Sequence, residues 1–375
     1  MNDGGERSGS ASNGLLGTLT RRRLTIAGTV IVILGLFIAV REIDVRTVTA
    51  EITSADPLLL GAAVTIYAVS WPLRGRRYGD VLAAIGHRQS TTFLTMAIFI
   101  SQTANLAIPA RAGDAVRAYV INERDVPYTA GFASLAVERV FDLATITVLA
   151  GLATAWLVLG SEAGPLEIVA ESGGARTALL AAAAVSMATV GAGAVVVTSA
   201  RTDHGLGRRL LARAENWPRL EAGLEAALGF AGSVQVVARQ PRALAAIGGT
   251  SLLVWLLDVI TAVLVLASLG SGLAFGPLLV VGTLAVSVGN LAKVLPLSQG
   301  GVGLYEAAFT ALVVALTPVG ASTALAAAIV DHALKNGVTL VGGSGAVALL
   351  GVSLSDAAGQ EATRKNGNFL GEPKK

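Results

Sequence analysis

The sequence predicts an all-α fold: a polytopic membrane helix bundle with two discontinuous, re-entrant helix pairs arranged as an inverted repeat. Three observations predict it. The 375 residues are 53% hydrophobic and 14% charged, with a mean hydropathy of +0.66, whereas soluble domains carry about 25% charged residues. Apolar runs of near-spanning length recur along the chain, and two of them are cut by proline and glycine. Nine ionisable side chains nevertheless sit inside or at the ends of such runs: Glu138, Arg139, Asp142, Asp258, Lys293, Glu306, Asp331, His332 and Lys335. A charge facing lipid at mid-bilayer costs roughly 2.5–3.5 kcal/mol, so these residues are expected to face a cavity or each other.

Residues 1–20 are rich in Gly, Ser and Asn and read as a disordered N-terminal tail. Arg21, Arg22 and Arg23 ahead of Leu24–Val40 resemble a signal peptide. No small-x-small cleavage site follows, so the run is read as a retained helix starting in the cytoplasm. Residues 21–350 are expected to form a single membrane domain and 351–375 a polar cytoplasmic tail. The chain is long enough for seven or eight spans of about 20 residues. Apolar segments fall near 24–40, 57–73, 91–109, 131–159, 177–199, 243–269, 276–295, 302–317 and 322–350.

Simple alternation through all of these fails the positive-inside rule, because it puts the arginine-rich 201–242 stretch outside and the acidic 160–176 stretch inside. A re-entrant pair at 91–109 and 113–125, broken by Pro109 and Gly113, repairs both placements. A second broken pair, 276–295 and 302–317, is interrupted by Pro296 and Gly300-Gly301. The linker of about 200–242 then becomes cytoplasmic, with an amphipathic surface helix through Leu206, Leu210, Leu220, Leu224 and Leu228. Both termini fall inside, and the location expected is the cell membrane.

The two broken pairs resemble each other. Asn105-Leu106-Ala107 recurs as Asn290-Leu291-Ala292. Each is followed by proline, glycine (Gly113, Gly301) and a carboxylate (Asp114, Glu306), then a long helix with internal charges. Repeat one spans about 57–159 and repeat two about 243–350, in opposite orientation. Broken helices expose backbone groups that a membrane tolerates only beside a wet cavity or buried in protein. Half-helix N-termini favour an anion there, and inverted repeats of this kind are an architecture of alternating-access transporters.

Arg111 and Arg117 follow the first break and can fork onto phosphate oxygens, the plain alternative being arginines that snorkel to headgroups. Glu138, Arg139 and Asp142 share one helix face at spacings of three and four, as a pocket or an interfacial cluster. Asp331 and Lys335 can pair within their helix. Asp258 has no charged neighbour in sequence and needs a partner from another helix, with Lys293, Lys335 or an arginine available. Gly300, Gly301 and Gly303 lead into the helix of Glu306 and read as a backbone break beside Lys293. Arg74, Arg76, Arg77 and Tyr78 read as a headgroup anchor ending the second span. The absence of cysteine excludes disulfides and thiolate sites, and three scattered histidines lack metal-ligand spacing, so no metal or cofactor is expected. The net charge of +3 is attributed to topology rather than to an anionic partner, and no nucleic acid is expected.

The chain resembles the flippase-like integral membrane proteins related to the transmembrane region of lysylphosphatidylglycerol synthases. The resemblance covers roughly residues 20–350. It rests on Arg76-Arg77-Tyr78, on Asn105 with Pro109, Arg111, Gly113, Asp114 and Arg117, on Glu138-Arg139 with Asp142, and on Pro296 with Gly300-Gly301-Val302-Gly303 and Glu306. It implies a multi-pass protein that moves lipids or lipid-linked groups between leaflets. Related regions occur fused to soluble aminoacyl-transfer or glycosyltransferase domains, and the short linker and polar tail here leave room for neither.

The function expected is therefore that of a flippase-like, non-enzymatic transporter for an anionic lipid or a polyprenyl-phosphate-linked head group. Asn105, Arg111, Asp114, Arg117, Glu138, Arg139, Asp142, Asp258, Asn290, Lys293, Gly301, Glu306, Asp331 and Lys335 form its translocation site. Membrane lipids or the lipid-linked group are the expected partners, with a separate transferase enzyme as a further candidate. The alternatives are a membrane-embedded transferase or hydrolase using Glu138 or Glu306, and a small-solute secondary transporter.

Overall fold

The computed structural model describes residues 45–107, 113–160, 232, 235–237, 239–293 and 299–351. The expected span at 24–40, residues 161–176 and 177–199, most of the 200–242 linker, Pro109, Arg111, Pro296 and the tail beyond 351 lie outside them. Among the described residues the chain is helical, without strands: α1 (Val45–Ser54), α2 (Pro57–Ala84), α3 (Thr91–Ala107), α4 (Gly113–Asn122), α5 (Tyr128–Gly160), α6 (Pro241–Ser268), α7 (Phe275–Ala292), α8 (Leu304–Leu316) and α9 (Ala321–Leu350), with a 3-10 turn at Gln299–Gly301. Five of these, α2, α5, α6, α7 and α9, are long and apolar enough to cross a membrane. The protein is a multi-pass membrane helix bundle.

After α1 the helices of the described residues fall into two runs of four with matching lengths. The first has 28, 17, 10 and 33 residues and the second 28, 18, 13 and 30. Each run opens on a proline, Pro57 or Pro241, where the first turn needs no N–H. Asp56 caps α2 by accepting from the N–H groups of Leu58 and Leu59. α9 closes on Gly351 in the left-handed conformation, which satisfies a terminal carbonyl without a Cβ penalty.

α2 and α6 pack side by side and run antiparallel. The Asp56 N–H donates to the Ser268 carbonyl at 2.8 Å, tying the start of α2 to the end of α6. Gln240 Nε2 donates to the Ala84 carbonyl at 2.9 Å, tying the opposite ends. Around this pair, α3 lies against α9 and α7 against α5, so the second helix of each run packs on the last helix of the other. Small residues permit the approach. A Cβ at Gly342 would meet the Phe99 ring, and one at Gly343 would meet Thr103. Thr103 Oγ1 donates to the Thr339 carbonyl at 3.0 Å, and Phe99 stacks on Trp71 with ring centroids 3.6 Å apart.

Helix ends differ from the sequence reading by a few residues except at α2, which continues eleven residues beyond the expected end at 73. Pro72 lies inside it without ending it, as membrane helices tolerate when neighbours satisfy the freed carbonyl. The continuation carries Arg77 and Tyr78 inside the bundle, with Arg74 half-buried at its edge, while Arg76 stays exposed.

Candidate functional site

Two clusters of ionised side chains lie inside the bundle, one beside each interrupted helix pair. In the first, Arg77 of α2 is 1% exposed. Its guanidinium donates to Glu138 at 2.5 Å, Asp142 at 2.6 Å and Ser251 at 3.0 Å. Arg117 of α4, equally buried, donates to the other Glu138 oxygen at 2.6 Å, and Trp255 Nε1 donates to Asp142 at 2.9 Å. Four helices, α2, α4, α5 and α6, are thus joined through two α5 carboxylates. Each carboxylate offers about four lone-pair sites, and the guanidinium forks fill them with directional, charge-assisted bonds.

Arg139 is held differently. It is spaced from Asp114 by 3.4 Å and from Asp142 by 3.9 Å, with its side chain 34% exposed. At the break between α3 and α4, Asn105 Oδ1 accepts the Gly113 N–H at 2.9 Å. A Cβ on Gly113 would overlap both Asn105 and the Ser101 carbonyl, so the two half-helices meet there only through glycine.

The second cluster gathers α6, α7, α8 and α9. Lys335 pairs with Asp331 at 2.9 Å and with Asp258 at 3.2 Å. Asp258 also accepts from Asn290 Nδ2 at 3.4 Å. Tyr305 donates its hydroxyl to Asp331 at 2.5 Å, and its ring lies beneath the Lys293 ammonium, 4.5 Å from the centroid. A Cβ on Gly289 would come within 2.7 Å of that ring, and one on Gly301 would overlap the Lys293 stem. Glu306 Oε1 lies 2.6 Å from His332 Nδ1, and Glu306 Oε2 accepts the Gly303 N–H at 2.6 Å.

The clusters adjoin along the α2–α6 seam. One turn before Arg77, Arg74 approaches Asp258 to 3.9 Å, while Ser251 and Trp255, on the preceding turns of α6, face the first cluster. The two breaks also converge, since a Cβ on Gly300 would touch Leu106 at the end of α3. Cations and carboxylates balance: Arg77, Arg117 and Arg139 stand against Asp114, Glu138 and Asp142, and Arg74, Lys293 and Lys335 against Asp258, Glu306 and Asp331. Among the described residues, no group of three His, Cys, Asp or Glu is arranged to hold a metal ion.

Of the residues singled out in the sequence, Arg111 lies outside the described residues. Asp114, Arg117, Glu138, Arg139 and Asp142 come together in the first cluster with Asn105 at its edge. Asp258, Asn290, Lys293, Gly301, Glu306, Asp331 and Lys335 come together in the second. Arg74 and Lys335 are the partners that Asp258 required. Sequence reasoning missed Arg74, Arg77, Trp255 and Tyr305 as members, while His332, singled out with Asp331 and Lys335, joins the second cluster through Glu306. Arg77, read as a headgroup anchor, instead joins both α5 carboxylates. A signal was present, for Tyr67, Trp71, Arg74 and Tyr78 recur at helical spacing. Arg117 is not open to a ligand here, because Glu138 holds it and the Tyr78 ring lies 5.1 Å beneath.

This charge-bearing bundle matches a known family model, the lysylphosphatidylglycerol synthase TM region, over residues 25–343. The chain belongs to that family. A relative within reach of it, the glycosyltransferase AglD of Haloferax volcanii, is 46% identical over 362 residues, covering 92% of this chain and 57% of the relative. The chain thus spans little more than half of the relative's length. The name corrects one expectation: exclusion of an enzyme on the ground that no nucleophile–base pair or catalytic domain is legible does not hold for a chain this similar to a glycosyltransferase. That exclusion relied on soluble-enzyme signatures, which a family of membrane helices need not display.

Proposed function

We propose that this family member is the membrane part of a lipid-linked glycosyl-transfer system. It takes the anionic head group of a polyprenyl-phosphate-linked lipid into the bundle and carries it between leaflets of the cell membrane. In this reading the two helix runs are an inverted repeat, α3/α4 and α7/α8 are re-entrant pairs, and both termini are cytoplasmic. The observation that carries the reading is the antiparallel α2–α6 seam, where two buried ion clusters adjoin at Arg74 and Asp258 beside converging helix breaks. Equivalent first helices of two repeats run antiparallel when the repeats are inverted, and parallel when they are related about the membrane normal.

Balanced clusters suit such a task. Twelve clustered charges, seven of them buried, would be prohibitive without cargo unless mutually neutralised. An arriving phosphate competes with a carboxylate for a cation and shifts the balance between packings of similar energy. Arg139, loosely paired and the most exposed of the clustered arginines, is the first contact, and the half-helix N-termini are reached only after Asn105, Asp114 or Glu306 gives way. A leaflet-resolved assay in proteoliposomes with a fluorescent polyprenyl-phosphate sugar tests this. The wild type is expected to redistribute the label and an Arg139→Ala/Asp331→Ala double variant to lose that ability; equal redistribution by both rejects the assignment.

The relative's name supports a second reading, in which glycosyl transfer itself occurs within the membrane region. Glu306, partly exposed beside the break, would be the acid–base group there, since Glu138 is enclosed by two guanidinium groups. Formation of glycosylated product by the purified chain from a labelled lipid-linked sugar donor favours this reading over translocation.

A further inference from the structure

We propose that Glu306 and His332 together form a proton-binding site, and that loading it with a second proton drives the chain out of the conformation described above. The pair has few contacts to spare. His332 is 2% exposed, and its Nδ1 faces Glu306 Oε1 at 2.6 Å. Its Nε2 is buried with no hydrogen-bond partner among the described residues. Glu306 uses its second oxygen for the Gly303 N–H at the start of α8.

With one proton the pair keeps both of its contacts, Nδ1–H donating to Oε1 and Oε2 accepting from Gly303, and Nε2 is left as an acceptor without a partner. A second proton has three places to go. On the imidazole it makes Nε2 an N–H donor without an acceptor. On Oε1 it turns the carboxyl into the donor to Nδ1, and the imidazole hydrogen moves to the same Nε2. On Oε2 it weakens the Gly303 bond and removes a negative charge from the N-terminus of α8. The first two placements leave a buried N–H without an acceptor and the third weakens a contact that this conformation makes, and an unmet buried donor disfavours the loaded state on the order of ten-fold or more in population.

The groups around the pair are engaged with one another, except Asp331 Oδ1, which has no hydrogen-bond partner among the described residues. From α8, the Tyr305 ring packs on His332 with centroids 4.7 Å apart, while its hydroxyl is committed to Asp331. From α9, Asp331 and Lys335 are paired with each other, and Asp258 of α6 binds Lys335. Arg74 of α2 stands beyond, against Asp258. The Lys293 ammonium, at the end of α7, lies over the Tyr305 ring.

A route for movement is present. Gly300, Gly301 and Gly303 take positive φ values of 61°, 77° and 86°, so the turn that Glu306 caps is built from residues with wide conformational freedom. Releasing the Glu306–Gly303 bond frees the end of α8 at the break. If the chain translocates a head group as proposed above, this site links that step to the proton gradient. The proton site itself does not depend on that reading.

The chain has no cysteine, so spin labels at Val302→Cys and Val341→Cys, both exposed positions, report distances across the break without competing sites. In lipid nanodiscs the distance distribution is expected to shift between pH 8 and pH 5. His332→Gln is expected to abolish the shift, and Glu306→Gln to adopt the pH 5 distribution already at pH 8. No shift in the parent, a preserved shift in His332→Gln, or a pH 8 distribution in Glu306→Gln overturns the proposal. Should either variant fail to fold, a His87→Gln/His204→Gln background leaves His332 as the one histidine. Its nitrogen-15 spectrum must then show Nε2 gaining a proton together with the distance shift, and no titration between pH 5 and pH 8 overturns the proposal. Leaflet assays on the same samples separate the two ideas: a pH-driven shift without lipid movement refutes only translocation, and lipid movement without the shift refutes only the proton site.

Discussion

Removing Arg77 tests the logic of the buried network most directly. Arg77→Met keeps much of the side-chain volume and deletes three donors, to Glu138, Asp142 and Ser251. Glu138 keeps Arg117 at 2.6 Å, but Asp142 is left with Trp255 at 2.9 Å and Arg139 at 3.9 Å. Breaking a buried ion pair by deleting one partner costs about 3–5 kcal/mol, because the remaining charge stays desolvated. Asp142→Asn leaves Arg77 on Glu138 and keeps an oxygen for Trp255, so about 1–2 kcal/mol is expected for it by the same reasoning. In the double variant the uncompensated carboxylate is gone, so the combined loss should fall short of the sum by about 1–3 kcal/mol. Resistance to denaturant in mixed micelles, followed by circular dichroism for all three variants, measures this. A loss below about 1 kcal/mol for Arg77→Met, or strict additivity, would refute a network in which Arg77 compensates these carboxylates.

Lys335→Met should cost about 3–5 kcal/mol, since Asp258 and Asp331 both lose their ammonium partner, whereas Arg74→Gln, which breaks a 3.9 Å ion contact, a 3.4 Å hydrogen bond to Ser70 and the approach to the Tyr67 and Trp71 rings at a partly exposed side chain, should cost less, about 1–2 kcal/mol; the same denaturant series ranks them. Trp255→Phe deletes one hydrogen bond to a carboxylate and should cost about 1.5–3 kcal/mol. Gly289→Ala should lower the thermal midpoint by displacing Tyr305, a change worth about 1–3 kcal/mol, and the altered tyrosine environment should appear in near-ultraviolet circular dichroism.

Much of the helix order was legible because apolar runs and their punctuation are local properties. Pro57, Pro241, Gly113 and Gly351 mark boundaries by backbone chemistry alone. The continuation of α2 was hidden because Pro72 and three arginines in sequence look like the end of a span, and what keeps them helical is the opposing α5 and α6. Pairing was the hardest part to read. Asp331–Lys335 is separated by one turn and could be foreseen, while Arg77–Asp142 and Lys335–Asp258 join helices far apart in sequence. Asp258 without a neighbour announced that a partner was needed but not which one. Tyr305 and Trp255 escaped notice because an aromatic in an apolar helix carries no local sign that its polar atom will meet a carboxylate.

Counting from the prolines that open α2 and α6, Trp71 and Trp255 occupy the same place in their helices, and so do Arg74 and Asp258, which carry opposite signs and sit against each other. A change of polarity at either place therefore needs an answering change at the other, or like charges collide at the heart of the molecule. Exchanging the two, Arg74→Asp with Asp258→Arg, would restore this contact yet bring an arginine to Lys335. Among descendants of the same ancestor these two positions should consequently drift as a linked pair, with position 335 following.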